Sequence, residues 1–159
     1  MLNIVLTRID DRLIHGQVMA AWSKFTKANR IMIIDDLVAN DPFMGKILKM
    51  AAPPGMKVDV YNVKQATEIL KNTHSSADRV IILAKYPKTI YELIEAGVEI
   101  KDLNVGGMAA GPGRKTLYKN ISASAEEKEV FKDIISRGTY VYIKIIPDDK
   151  EVDIRKFLD

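Results

Sequence analysis

The feature that most constrains this chain is a series of short, almost wholly apolar runs that recur at regular distances. They are Leu2–Leu6, Arg30–Asp35, Lys57–Tyr61, Arg79–Ala84, Leu103–Val105 and Thr139–Ile146. A strand that is apolar at consecutive positions has to be covered on both faces, which is the condition of a parallel sheet between helices. The intervening segments carry helix signals. Asp41-Pro42 reads as an N-cap and first helical position, and Pro53-Pro54-Gly55 stops that helix. Asn62 with Gln65, and Ser124 with Glu127, have the spacing of capping boxes. Pro87 opens a further helix and Gly97 and Gly138 close two of them. Lys115 to Ser122 reads as extended, and Ile154, Phe157 and Leu158 suggest a short terminal helix or edge segment. The class that follows is α/β: a single three-layer α/β/α domain over residues 1–159, with a mainly parallel central sheet. The expected inward faces are Val18, Ala21, Trp22 and Phe25 on the first helix and Phe43, Ile47, Leu48 and Ala51 on the next.

Composition narrows the function. The chain has 159 residues, enough for one domain with a sizeable core. It contains no cysteine and two histidines, His15 and His74, far apart in sequence. Neither a disulfide framework nor a metal site is expected, and no cofactor is implied. The net charge of +3 comes from 24 basic and 21 acidic residues that are interspersed, without the basic stripe of a nucleic-acid binder. No apolar run approaches the roughly 18 residues of a membrane span, and no leader pattern is visible, so a cytoplasmic location is expected.

The chemistry concentrates in residues 7–17, Thr-Arg-Ile-Asp-Asp-Arg-Leu-Ile-His-Gly-Gln. This stretch joins the first strand to the first helix, where α/β folds place ligands. His15 stands at the start of that helix, beside the free N–H groups of Gly16 and Gln17 and the positive end of the dipole. That is a place for phosphate, and it favours a neutral ring with a nucleophilic nitrogen. Arg12 and Arg8 can lean over the same mouth, and a guanidinium fork matches phosphoryl oxygens. We therefore take His15 as catalytic, with Arg12, Arg8, Gly16 and Gln17 binding a phosphoryl group. Asp10 and Asp11 read as supports that hold the arginines and orient the imidazole. The blander alternatives are that Arg12 pairs with Asp10 or Asp11 to stiffen the loop, and that Arg8 is anchored to Asp10 or to the strand end. Trp22 reads as core and His74 as a solvated residue of the polar loop Asn-Thr-His-Ser-Ser-Ala.

The glycine-rich region 106–116 does not have the spacing of a Walker-type loop, because Pro112 falls where glycine or lysine is needed. Gly106 and Gly107 read instead as positions where the backbone approaches the His15 loop. Asp35 and Asp36 end a strand and could border the site, though helix capping accounts for them.

Residues 8–18, Arg-Ile-Asp-Asp-Arg-Leu-Ile-His-Gly-Gln-Val, resemble the active-site signature of the IIB components of the sugar phosphotransferase system (PTS), mannose/fructose/sorbose family. Ala52-Pro53-Pro54-Gly55 and Asn104-Val105-Gly106-Gly107-Met108 resemble two further pieces of it, so the likeness runs over most of the chain. The resemblance implies a protein-N(π)-phosphohistidine–sugar phosphotransferase. In such a protein His15 takes a phosphoryl group on Nδ1 from a phosphorylated IIA protein or domain. It passes the group to a sugar imported by a membrane IIC/IID permease, with which the protein associates peripherally. The family is also compatible with a homodimer. The chain begins at the IIB-like strand, which suggests a free-standing IIB. The family's loop runs on to Gly-Lys-Thr, whereas this chain has Gly113-Arg114-Lys115-Thr116, so no role passes to Lys115. The rival reading is a non-catalytic α/β module that holds a phosphorylated small molecule at the first strand–helix loop.

Overall fold

A computed structural model of the chain describes residues 2–74 and 76–159. Its spine is a seven-stranded sheet. In chain order the strands are β1 (Asn3–Asp10), β2 (Arg30–Ile34), β3 (Lys57–Tyr61), β4 (Arg79–Ala84), β5 (Asp102–Gly107), β8 (Tyr140–Ile143) and β9 (Val152–Asp153). They are ordered β3-β2-β4-β1-β5-β8-β9. Every pairing is parallel except β8 with β9. The expected extended region is a separate antiparallel hairpin, β6 (Lys115–Tyr118) and β7 (Ile121–Ala123). The terminal segment is both things at once, the edge strand β9 followed by a 3-10 turn over Ile154–Phe157.

Two clusters of buried side chains sandwich this sheet. On one face Leu6, Ile31, Ile33, Ile81 and Leu83 meet helices α1 (Gly16–Thr26), α2 (Asp36–Ala39) and α3 (Pro42–Met50) through Met19, Trp22, Val38 and Leu48. On the other, Met32, Ile34, Val80, Ile82 and Val105 meet α4 (Val63–Asn72), α5 (Pro87–Glu95) and α6 (Ala125–Ser136) through Ala66, Leu70, Ile90, Leu93, Phe131 and Ile134. The all-apolar strands are thus buried on both sides, as their composition requires. Both capping boxes are formed, at Asn62 with Gln65 and at Ser124 with Glu127, and Asp41 caps α3.

Three local expectations need correction. β1 does not end near Leu6 but runs to Asp10, so Arg8 and Asp10 are strand residues. Its burial is complete from Leu6 onward, because β4 and β5 flank it. Helix α1 turns Met19, Trp22 and Ser23 to the sheet and leaves Phe25 63% exposed. Its rotation is fixed by Trp22, whose Nε1–H donates to the Ile145 carbonyl at 2.9 Å. Helix α3 buries only Leu48, while Phe43 (72%), Ile47 and Met50 (77%) face outward. It lies over β3, the last strand of the sheet, where there is too little sheet to cover a wide apolar face.

Candidate functional site

The chain path opens the sheet at one place. β1 leads into α1 on one face, whereas its neighbours β4 and β5 lead into α5 and α6 on the other. The connections therefore part above the carboxyl end of β1, which is where a doubly wound sheet receives ligands. Asp10 is the last residue of β1 and sits at the bottom of that opening with no exposed surface.

The Asp10 carboxylate is the hub of the site. Its Oδ2 accepts from Arg8 Nη2 at 3.1 Å and Arg12 Nη2 at 3.2 Å, and lies 2.8 Å from His15 Nε2. Its Oδ1 accepts from the Arg12 backbone N–H at 3.1 Å and from Arg12 Nε at 3.0 Å. Burial on its own would raise the pKa of this carboxyl. The hydrogen bonds from Arg12 and His15, together with the Arg8 charge, outweigh burial and hold it below the ordinary carboxylate range.

His15 is the N-cap residue of α1, with extended backbone and no side-chain capping bond, so its ring is committed to Asp10. The loop reaches this arrangement through two left-handed residues, Leu13 at φ 58° and Gly16 at φ 43°. Leu13 tolerates that conformation because its side chain is buried and its N–H is tied to the Asp10 carbonyl at 2.8 Å. The His15 side chain retains 24% exposure and the Arg12 side chain 48%. Gly16 and Gln17 are exposed, and the first N–H groups of a helix have no partner within it. An imidazole, one edge of a guanidinium and a helix N-terminus therefore share one solvent-facing mouth.

Arg8 was expected at that mouth and is not there. Its side chain is wholly buried, with Nη1 donating to Asn104 Oδ1 at 2.6 Å and to the Lys144 carbonyl at 3.1 Å. Its Cζ lies 5.5 Å from the centroid of the Trp22 ring. As a β1 residue two positions before Asp10, it points to the same side beneath the carboxylate, so it cannot touch a ligand. Asn104 also donates to the Lys144 carbonyl at 3.0 Å, which completes the floor. Sequence reasoning missed Asn104 as a site residue, although a lone amide between Leu103 and Val105 in an apolar strand is a readable sign of a buried polar contact.

The glycines of β5 are explained by the same floor. A Cβ on Gly106 would fall inside the Arg8 guanidinium, and one on Gly107 would sit 2.7 Å from Asp10 Oδ1. The expected close approach of this backbone to the His15 loop is observed. Asp11 has a different task from the one expected. It neither orients the imidazole nor holds Arg8 or Arg12. Its Oδ2 accepts the Ala109 N–H at 2.7 Å and pairs with Arg114 at 3.5 Å. Arg114 in turn donates to both oxygens of Glu127, at 2.9 and 2.8 Å, and to the Ala109 carbonyl. This network staples the β1 loop to the glycine-rich loop and to the start of α6.

The remaining candidates lie elsewhere. Asp35 caps α2 by accepting the Val38 N–H, and Asp36 accepts the Val63 N–H. His74 is exposed before the amino end of β4, so it lies toward the opposite end of the strands from His15, and its neighbour Ser75 lies outside the described residues. Ala52-Pro53-Pro54-Gly55 forms the turn into the amino end of β3, with Met56 N–H donating to Pro53 and Gly55 at φ 78°. It takes no part in the site. Among the described residues no group of three or more histidines and carboxylates is placed to hold a metal ion, and no helix is long and apolar enough to cross a membrane.

Fold and site together define a doubly wound α/β domain whose ligand end gathers an imidazole, one edge of a guanidinium and a helix N-terminus around a buried carboxylate. The profile of the PTS system sorbose subfamily IIB component matches residues 4–159. The chain is 39% identical over 153 residues to the sorbose-specific EIIB component of Klebsiella pneumoniae, covering 96% of this chain and 93% of that protein. It is 36% identical to the mannose-specific EIIAB component of Escherichia coli K12 over 94% of this chain and 46% of that longer protein. The crystal structure of the IIBSor domain of the Klebsiella pneumoniae sorbose permease superposes with a TM-score of 0.94 at 38% identity, covering 99% of this chain and 96% of that one. The chain belongs to the sorbose subfamily of PTS IIB components, within the mannose/fructose/sorbose family. Components of this kind are phosphotransferases that serve sugar transport.

Proposed function

We propose that the whole chain acts as one IIB domain in which His15 carries phosphate from a IIA protein or domain to a sugar entering through a membrane IIC/IID permease, on the cytoplasmic side. The observation that carries this reading is the 2.8 Å contact between His15 Nε2 and Asp10 Oδ2. With Nε2–H donated to the carboxylate, the lone pair of the neutral ring is on Nδ1, at the open mouth. Nδ1 attacks the phosphorus of the donor phosphohistidine in line. The donor N–P bond breaks as the Nδ1–P bond forms, and the positive charge of the phosphorylated ring moves from donor to His15. No proton has to travel, because Asp10 already holds Nε2–H and stabilises the new cationic ring. In the second step a sugar hydroxyl attacks, the Nδ1–P bond breaks, the hydroxyl proton passes to solvent and His15 returns to neutral.

Such transfers have loose transition states in which positioning and charge stabilisation do most of the catalysis. Arg12 uses Nε and Nη2 on Asp10, and its Nη1 edge is left for a phosphoryl oxygen. The N–H groups of Gly16 and Gln17 cover the other oxygens. Arg8 acts from beneath by fixing Asp10. In purified components, phospho-IIA should load one acid-labile phosphate on the protein, and His15→Ala should take up none while melting normally. Ligand binding with no covalent phosphate would favour the rival module instead.

A further inference from the structure

We propose that the groove between the outer face of α1 and the turn after β8 is the docking seat of the phosphodonor protein, with Phe25 as its anchor; this rests on the phosphocarrier reading above. The groove encloses about 610 Å³. Val18, Ala21 and Phe25 form one wall, Ile146 and Pro147 the other, and it begins at Gln17, two residues from His15. The sheet-facing side of α1 is already filled by Met19, Trp22 and Ser23. Along the stripe Val18–Ala21–Phe25, at helical spacing, Val18 still packs partly against the core and Ala21 is half-buried, while Phe25 stands out from it. Phe25 and Ile146 are 63% and 39% exposed, and the groove runs along α1 from Gln17, beside the reactive mouth, to Phe25 in the last turn of the helix. Phe25 is held edge-on to Trp22 at 6.0 Å between ring centroids, and Lys144 Nζ lies 5.9 Å from its centroid. A braced aromatic in an apolar depression with a polar rim is the composition of an interface hot spot.

Two proteins must meet His15 in turn, and charge selects between them. Lys24 lines the groove, Lys144 stands over Phe25 and Arg12 borders the reactive mouth, with Asp148 as the acidic lining residue. A donor carrying phosphohistidine arrives negative while the His15 mouth is empty, so the cations steer the encounter. After transfer the phosphoryl group on His15 offsets those cations, and the donor has lost its own charge, so both partners release. The permease meets a surface whose field is already compensated, and it presents an uncharged hydroxyl.

The test separates docking from chemistry. Phosphoramidate, a small donor that needs no protein surface, should label His15 at the same rate in the parent and in Phe25→Ala. With phospho-IIA as donor, Phe25→Ala should raise KM roughly tenfold or more with little change in kcat. Lys24→Glu should slow association and weaken its salt dependence. Delivery of phosphate to sugar by preloaded Phe25→Ala at the permease should stay within about twofold of the parent, as should both steps in Phe43→Ala on α3. An unchanged KM for phospho-IIA in both groove variants overturns the proposal. So does a loss at the delivery step as large as that at uptake, which would give the groove to the permease. A parent protein that neither phosphoramidate nor phospho-IIA can label removes the phosphocarrier reading, and this inference with it.

Discussion

At the scale of single residues, the site is one carboxylate shared by three potential cations, and its members fail in different ways. Arg12 is half exposed, so its ion pair with Asp10 adds about 1 kcal/mol or less to stability. Its fork is another matter: Arg12→Lys keeps a charge but cannot hold Asp10 with two nitrogens while presenting a third to phosphate. Uptake from phospho-IIA should fall about 10²–10³-fold with an almost unchanged melting temperature, read by single-turnover transfer and calorimetry. Asp10→Asn should reverse that order of damage. It leaves the buried Arg8 charge uncompensated, at a cost of roughly 3–5 kcal/mol, and it frees the His15 ring as well. The pH dependence follows from the lowered pKa of Asp10. The unfolded chain takes up this proton at a higher pH than the folded one. The contribution is therefore complete above the unfolded value of about 3.9 and is lost as pH falls through the lower folded value. Urea titrations between pH 6 and pH 2.5 should show an acid-side decline in the parent that is flatter in Asp10→Asn.

At the scale of elements, the close packing of β5 against the β1 floor makes Gly106 the least replaceable position in the sheet. Gly106→Ala should destabilise the protein by about 3 kcal/mol or more, because the added carbon displaces a buried guanidinium from its carboxylate. Gly111→Ala is the matched control, since a Cβ there meets nothing, and equilibrium unfolding of the pair checks the claim. Elements with local signatures were legible in the sequence: the capping boxes at Asn62 and Ser124 and the Asp41-Pro42 start form where expected, and each apolar run holds a strand, although β1 extends past its run to Asp10. What escaped was set by distant partners. The rotation of α1 depends on a bond from Trp22 to Ile145, and the exposure of α3 on its place at the sheet margin. The split of labour between Arg8 and Arg12 depends on β1 continuing to Asp10 between two neighbours. Local spacing shows both arginines near His15 without showing which is sealed beneath it.

At the scale of the molecule, the proposed transfer draws its charge stabilisation from side chains and backbone at one end of the sheet. The two histidines stand at opposite ends of the neighbouring parallel strands β1 and β4, so they cannot share an ion. Treatment with EDTA should leave uptake from phospho-IIA within about twofold of the untreated rate in metal-free components, because the proposed mechanism assigns neutralisation of the phosphoryl group to Arg12 and the α1 N-terminus. A large loss restored by added Mg²⁺ would show an ion in the transfer path. The arginines and glycines that build this end come from opposite halves of the chain, and that carries a consequence for synthesis. The central strand β1 is made first, yet its sheet neighbours are β4 and β5, and the floor under Arg8 needs Asn104, 96 residues away, and the carbonyl of Lys144, 136 residues away. A ribosome adding about 5–20 residues per second therefore holds an incomplete site for several seconds. Until Lys144 has emerged, Arg8 lacks its last acceptor and His15 stands on an unfinished base. A nascent chain should thus be unable to take up phosphate before Lys144 has emerged.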